Sequence, residues 1–171
     1  LEPHDVLFQM MQYSDIIFGD QNEWEIASGV PHIPFEALDE NYVIDREAYL
    51  SYFRKMHRLF PKCKKMVMAV RNQIASSHHT LSGLLYDTVE NQLYTTRIYD
   101  IQPIVDPMGV GDAFIAAYIH AHQKWGDENQ YCLDFSLSAS AIKNTIPGDQ
   151  NLVSEEEIIS NMTSSGGRIQ R

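Results

Sequence analysis

The chain has little cysteine. Of 171 residues only Cys63 and Cys132 carry thiols, and they lie far apart with no Cys-x-x-Cys spacing. They read as reduced thiols of an intracellular protein rather than as a disulfide framework. Basic residues are also scarce: 13 Lys and Arg stand against 23 Asp and Glu, a formal net charge of −10. No Lys/Arg stripe stands out, which argues against a nucleic-acid partner. That balance leaves an anionic small-molecule substrate open, because local dipoles bind phosphate even in an acidic protein. No apolar run reaches membrane-spanning length and the first residues, LEPHDVLFQM, lack a signal-peptide pattern. The expectation is therefore a cytoplasmic protein with no membrane partner. Asn161-Met162-Thr163 fits a glycosylation sequon, a pattern short enough to arise by chance. There is no internal repeat, long linker or low-complexity block.

What is present is an ordinary globular composition, 44% hydrophobic and 21% charged, at the length of one domain. Residues 3–14 have helical spacing with Pro3 suited to a first turn. DIIFG (15–19) reads as a short buried strand and DQNEWEIASG (20–29) as a helix with acids in its first turn and Gly29 at its stop. Residues 30–45 read as loop. In REAYLSYFRKMHRLF (46–60), Tyr49, Phe53, Met56 and Phe60 form one stripe, stopped by Pro61. KKMVMAVR (64–71) is an apolar run suited to a sheet covered on both faces. Residues 82–101 read as two strands around TVEN, and His78 and His79 as loop residues before that hairpin. Helices are expected over 109–125, with Phe114, Ala117, Tyr118, Ala121 and Trp125 on one face, over 129–145, and over 154–162 behind a Ser154–Glu157 capping box. Residues 163–171 read as a disordered tail. Strands alternating with helices imply an α/β fold with a largely parallel sheet. His120 and His122, two apart on a helix, face different ways and make no metal pair. The chain starts with Leu inside a helical pattern, and is expected to be a piece of a longer protein.

One stretch carries chemistry: IVDPMGVGDAFIAAY (104–118). A glycine pair between a strand and a helix puts unpaired backbone N–H groups at a helix N-terminus, where an anion is well received. Gly-Lys-Ser/Thr is missing, so this is no P-loop, and Phe114 stands where a dinucleotide fingerprint needs its third glycine. An acid at position 112 is unfavourable beside an anion unless it acts there. Phosphoryl transfer supplies a reason: a hydroxyl nucleophile needs a base, while backbone dipoles neutralise the transferred group. The plainer alternative is an acid stabilised by the helix dipole.

DPMGVGDAF resembles the signature Asp-Thr-x-Gly-Ala-Gly-Asp-x-Phe of the ribokinase-like sugar kinases. Asp106, Gly109, Gly111, Asp112 and Phe114 match; Pro107 and Val110 depart from Thr and Ala. The resemblance implies that Asp112 is the catalytic base, that Gly109, Val110 and Gly111 form an anion hole for the ATP phosphate, and that Asp106 and Asp112 face the substrate. DIIFGDQNEWE also resembles the segment that carries the family's Asn-x-x-Glu motif, with Asp20 at the Asn position and Glu23 at the Glu position. By that resemblance Glu23 and Asp20 hold Mg²⁺, whose preference for oxygen ligands and retained waters suits a carboxylate at a loop edge. Asn22 and Glu25 form a literal Asn-x-x-Glu two residues on, but the ungapped match favours Glu23.

AIKNTIPGDQNLVSEEEI is similar to the C-terminal segment of 2-keto-3-deoxygluconate kinases, matching at Lys143, Thr145, Ile146, Pro147, Gly148 and Asp149. This implies phosphorylation of 2-keto-3-deoxygluconate to its 6-phosphate, with Arg71 near the nucleotide and Ser138 in the adenine wall. Other ribokinase-like kinases, acting on fructose, ribose or a nucleoside, and a non-catalytic nucleotide-binding module are the alternatives. The implied fold is the three-layer ribokinase-like one with a mainly parallel sheet, of which residues 1–162 are the C-terminal nucleotide-binding half. The N-terminal half, with most sugar contacts and a small β lid, is expected to lie outside the chain, so that this piece alone has little or no activity. Family analogy also raises a monovalent cation (K⁺) beside the signature, held by backbone carbonyls, and leaves open a homodimer of the full-length protein.

Overall fold

Short turns, not helices, join the central strands, and this decides the sheet. A computed structural model of the chain describes residues 2–34 and 43–164. Helices α1 (Pro3–Met11), α2 (Gln21–Ser28) and α3 (Arg46–Leu59) bracket and follow strand β1 (Ile16–Gly19). Then come β2 (Lys65–Ala75), β3 (His78–Asp87), β4 (Gln92–Thr95) and β5 (Tyr99–Ile101), and helices α4 (Val110–Trp125), α5 (Asn129–Lys143) and α6 (Glu155–Thr163). β1 pairs parallel with β2, whereas β2–β3, β3–β4 and β3–β5 are antiparallel. The α/β class stands, but the sheet is mixed rather than mainly parallel. Parallel neighbours need a crossover, which α2 and α3 supply between β1 and β2. The other joints are turns at residues 76–77 and 88–91, which reverse the chain.

Two further expectations are corrected. His78 and His79 open β3, opposite Ala75 and Gln73, and do not sit in a loop. The second strand of the expected hairpin is broken, because Thr96 Oγ1 accepts the Gly83 N–H at 2.8 Å and takes the place of a ladder carbonyl. α6 runs through Thr163, past the expected boundary; the rest of the expected tail, 165–171, lies outside the described residues, as do residues 35–42 of the expected loop.

Alternation along the strands sends side chains into two cores. Val67, Leu81 and Leu85 pack with Phe114, Tyr118, Leu133 and Leu137 of α4 and α5. Met66, Met68, Val70, Leu84 and Tyr86 pack with Trp24 and with the α3 stripe Tyr49, Phe53 and Met56. Phe53 and Met56 have no exposed surface; burying each such side chain is worth about 1.5–3 kcal/mol. The result is three layers, helix, sheet and helix. Among the described residues no helix is long and apolar enough to cross a membrane.

This layering puts the chemistry-bearing segments at one end. Gly19 ends β1 at the level of Met68, and β2 continues beyond it to Ala75. The β2–β3 turn is tied to the strand–helix connection by the Ile104 N–H, which donates to the Ser77 carbonyl at 2.9 Å. Ligands of open α/β sheets bind at this carboxyl edge of the parallel strands.

Candidate active site

α4 begins without a side-chain cap. Its N-cap is Gly109, in the left-handed region at φ 74°, and no side chain accepts from the first-turn N–H groups. α2, α3 and α6 are instead capped by Asp20, Asp45 and Ser154. The N–H groups of Val110 and Gly111 therefore stay available at the positive end of a 16-residue helix. Outside its own helical turn, no atom of the described residues lies within 4 Å of where a Gly111 Cβ would stand, so that backbone faces open space. Asp112, in the same turn, is exposed, and its carboxylate has no hydrogen-bond or ion-pair partner among the described residues. The three residues expected to form the anion hole and the expected base thus share one turn.

That turn is braced from beneath. Asp106 accepts the Met108 N–H at 2.9 Å and the Gly148 N–H at 2.8 Å. Those bonds, with the charge of Lys143 adding to them, hold its carboxyl below the usual carboxylate range. The Asn144 carbonyl accepts from Val105 at 2.8 Å, and Ser140 Oγ donates to the Val110 carbonyl at 3.1 Å. Asp106 was expected at the substrate; the structure shows both its oxygens engaged in joining the two loops. Lys143, Ser140 and Gly148 are the bracing residues that sequence reasoning did not assign to the site. The available signal was a lysine ending a helix of small and apolar residues.

Asp20 and Glu23 meet as a capping box. Asp20 Oδ1 accepts the Glu23 N–H at 2.9 Å and Glu23 Oε2 accepts the Asp20 N–H at 2.8 Å. A Cβ on Gly19 would lie 2.3 Å from Trp24 Nε1, so glycine is what lets the indole lie against the end of β1 and fix this helix start. Glu25, from the competing Asn-x-x-Glu, is paired with His32. No hydrogen bond or ion pair joins Asp20 or Glu23 to Asp112 among the described residues.

Arg71 is exposed on β2, on the strand face shared with His79. His79 is buried, neither ring nitrogen has a partner among the described residues, and burial followed by the charge of Arg71 pushes its pKa down. Ser138, expected in the adenine wall, has its hydroxyl engaged within the protein. It has no exposed surface, donates to the Ile158 carbonyl at 2.9 Å and accepts from Asn161 Nδ2 at 2.9 Å. Its hydroxyl pins α5 to α6.

The residues present fit two of the three expected cofactors. The uncapped turn matches a phosphate by charge and by open backbone. Asp20 Oδ2 and Glu23 Oε1 are exposed hard-oxygen donors outside the capping box, which suits Mg²⁺ retaining most of its waters. No cluster of three metal-ligating side chains occurs among the described residues, so the protein would supply only part of a coordination shell. A monovalent cation does not fit. The Ile146 carbonyl beside the signature already accepts from Lys143 Nζ at 3.0 Å. Two unit charges about 4 Å apart repel by about 4 kcal/mol at an effective dielectric near 20.

No family model and no curated protein sequence matches the chain. Solved structures do, and the chain shares their ribokinase-like fold. It is similar to the 2-dehydro-3-deoxygluconokinase of Thermotoga maritima, at 28% identity and TM-score 0.80 over 94% of this chain and 45% of that one. A PfkB family carbohydrate kinase from Listeria grayi is 24% identical, TM-score 0.73, over 91% of this chain and 43% of its own. Arabidopsis thaliana ribokinase, solved with ribose and ATP, shares the fold at 18% identity and TM-score 0.61, over 92% and 44%. The chain spans less than half the length of each.

Proposed function

We propose that this chain is the nucleotide-binding and catalytic part of an ATP-dependent carbohydrate kinase that phosphorylates 2-keto-3-deoxygluconate at its 6-hydroxyl. The carrying observation is an exposed carboxylate without a partner among the described residues, Asp112, in the same turn as N–H groups that no described side chain caps at the start of α4. Asp112 takes the proton of the sugar hydroxyl, whose oxygen then attacks the γ-phosphorus of ATP as the bond to ADP breaks. The N–H groups of Val110 and Gly111 receive charge on the transferred group, and the fixed turn supplies them without rearrangement. Asp20 and Glu23 would hold Mg²⁺ through their free carboxylate oxygens, and the ion would add to the neutralisation of phosphate charge. Arg71 is the proposed nucleotide contact, since an exposed guanidinium is free to pair with phosphate in a two-pronged way.

The choice of sugar rests on the NTIPGD segment and on the 28% identity to a 2-dehydro-3-deoxygluconokinase. Since the chain covers 45% of that relative, closure over the sugar belongs to residues outside it, and the 171-residue chain alone turns over slowly or not at all. The test is ADP release by the full-length protein on a panel of 2-keto-3-deoxygluconate, fructose, ribose and nucleosides, for wild type and Asp112→Asn. The expected result is highest kcat/KM on the keto-deoxy acid and a loss of about 10²–10⁴-fold in kcat for the variant with ATP binding retained. Preference for another substrate overturns the sugar assignment, and an active variant overturns the base.

A further inference from the structure

From Phe135 to its end every residue of α5 is buried, and the last is Lys143, a lysine with no exposed surface. Buried ammonium groups are costly unless the protein holds them with charge and hydrogen bonds. Lys143 makes no ion pair within contact distance among the described residues; its Nζ donates to the Ile146 carbonyl at 3.0 Å. The chain arranges this deliberately in space. After α5 it closes on itself, with the Thr145 N–H on the Ile142 carbonyl at 2.9 Å and the Ile146 N–H on the Lys143 carbonyl at 3.0 Å. The Ile146 carbonyl is thereby turned back onto the ammonium, at a helix C-terminus where the dipole favours a cation.

What surrounds this charge is the junction of two loops. Asp106 reaches across to the Gly148 N–H, the Asn144 carbonyl accepts from Val105, and Gly109 lies against the Asp149 carbonyl. The Ile146 carbonyl accepts from the ammonium and the Asp106 carboxylate feels its charge, so Lys143 sets a positive charge beside the loop junction that carries the anion-receiving turn.

We propose that the Lys143 ammonium is a covalently tethered cation that replaces a dissociable monovalent ion, so that the glycine turn is organised without potassium. Lys143 is a positioning residue: it acts on the phosphate through the loop junction. The inference rests on the reading of the turn as a phosphate site, and the two are separable by experiment.

The experiment measures binding of a non-hydrolysable ATP analogue with Mg²⁺, and thermal melting, in buffers whose only monovalent cation is K⁺, Na⁺ or tetramethylammonium. Wild type and Lys143→Met are compared in the full-length protein. Wild type should bind equally within about twofold in all three salts and melt without a K⁺-specific shift. Lys143→Met should bind about tenfold or more weakly in tetramethylammonium and recover in K⁺, with a K⁺-specific rise in melting temperature. A loss caused by packing alone would not be repaired by one ion. Wild-type binding or melting that depends on K⁺ overturns the proposal, as does a variant that matches wild type in tetramethylammonium. If the variant does not fold in any salt, the wild-type K⁺ response decides. If wild type binds no analogue in any salt, the phosphate reading fails, while the melting comparison still judges the tethered cation.

Discussion

Gly109 and Asp149 touch through their backbones: a Cβ built on Gly109 would lie 2.2 Å from the Asp149 carbonyl oxygen. Gly109 also sits at φ 74°, so two separate constraints select glycine there. Gly111, two residues on, has neither constraint. Gly109→Ala should destabilise the protein by about 1–3 kcal/mol. Gly111→Ala should leave stability unchanged or raise it by up to about 1 kcal/mol, since it sits in a helix, yet weaken binding of an ATP analogue. Denaturant melts paired with calorimetric titration check both; equal loss of stability in the two variants would contradict the contact.

Ser138→Ala removes the hydroxyl between Ile158 and Asn161. It should cost about 1–3 kcal/mol, the penalty for leaving buried partners unpaired, with KM for ATP unchanged. A rise in that KM at wild-type stability would restore Ser138 to the nucleotide site.

Asp106 has its pKa depressed by the Met108 and Gly148 N–H groups. A carboxyl whose folded pKa lies below its unfolded value, about 3.9, stabilises above that value and loses the effect as pH falls through the folded pKa. Asp106→Ala should therefore be less stable than wild type at neutral pH, and the gap should close only below about pH 4. Urea melts across pH 7 to 2.5 measure it; a gap independent of pH would mean that packing, not charge, is lost.

His79 acts in the same direction, in a higher pH window. Burial lowers its folded pKa, so below the unfolded value of about 6.5 the unfolded chain binds the proton more readily. Stability should fall as pH drops from about 7 toward the depressed folded pKa. His79→Leu, which keeps the buried volume apolar, should flatten that part of the profile. An unchanged profile would show that another group carries it.

The sequence was informative where a signal is local. The α3 stripe, the Ser154 capping box and the turn ahead of α4 are each set by residues within a few positions of one another, and each is found as expected. Where long-range neighbours decide, it was not. His79 and Thr80 are polar yet buried, because β5 covers them with Ile101 and Asp100 from twenty residues away. The break after β4 depends on one Thr96 hydroxyl meeting Gly83. Lysine is among the residues least often buried, so the small, apolar helix that Lys143 ends was a weak local sign of an interior charge. Ser138 had a small-residue helix for context, which reads equally as a ligand wall and as close packing until α6 is in place.

The clasp at Asp106 has an entropic side. Its two oxygens hold N–H groups from two loops about forty residues apart in sequence, so both loops are ordered before any ligand arrives. Fixing one backbone residue costs about 1–2 kcal/mol, and a mobile turn of four or five residues would subtract that from the affinity of whatever it bound. Here folding has already borne this cost, and contacts made at the start of α4 count in full toward affinity.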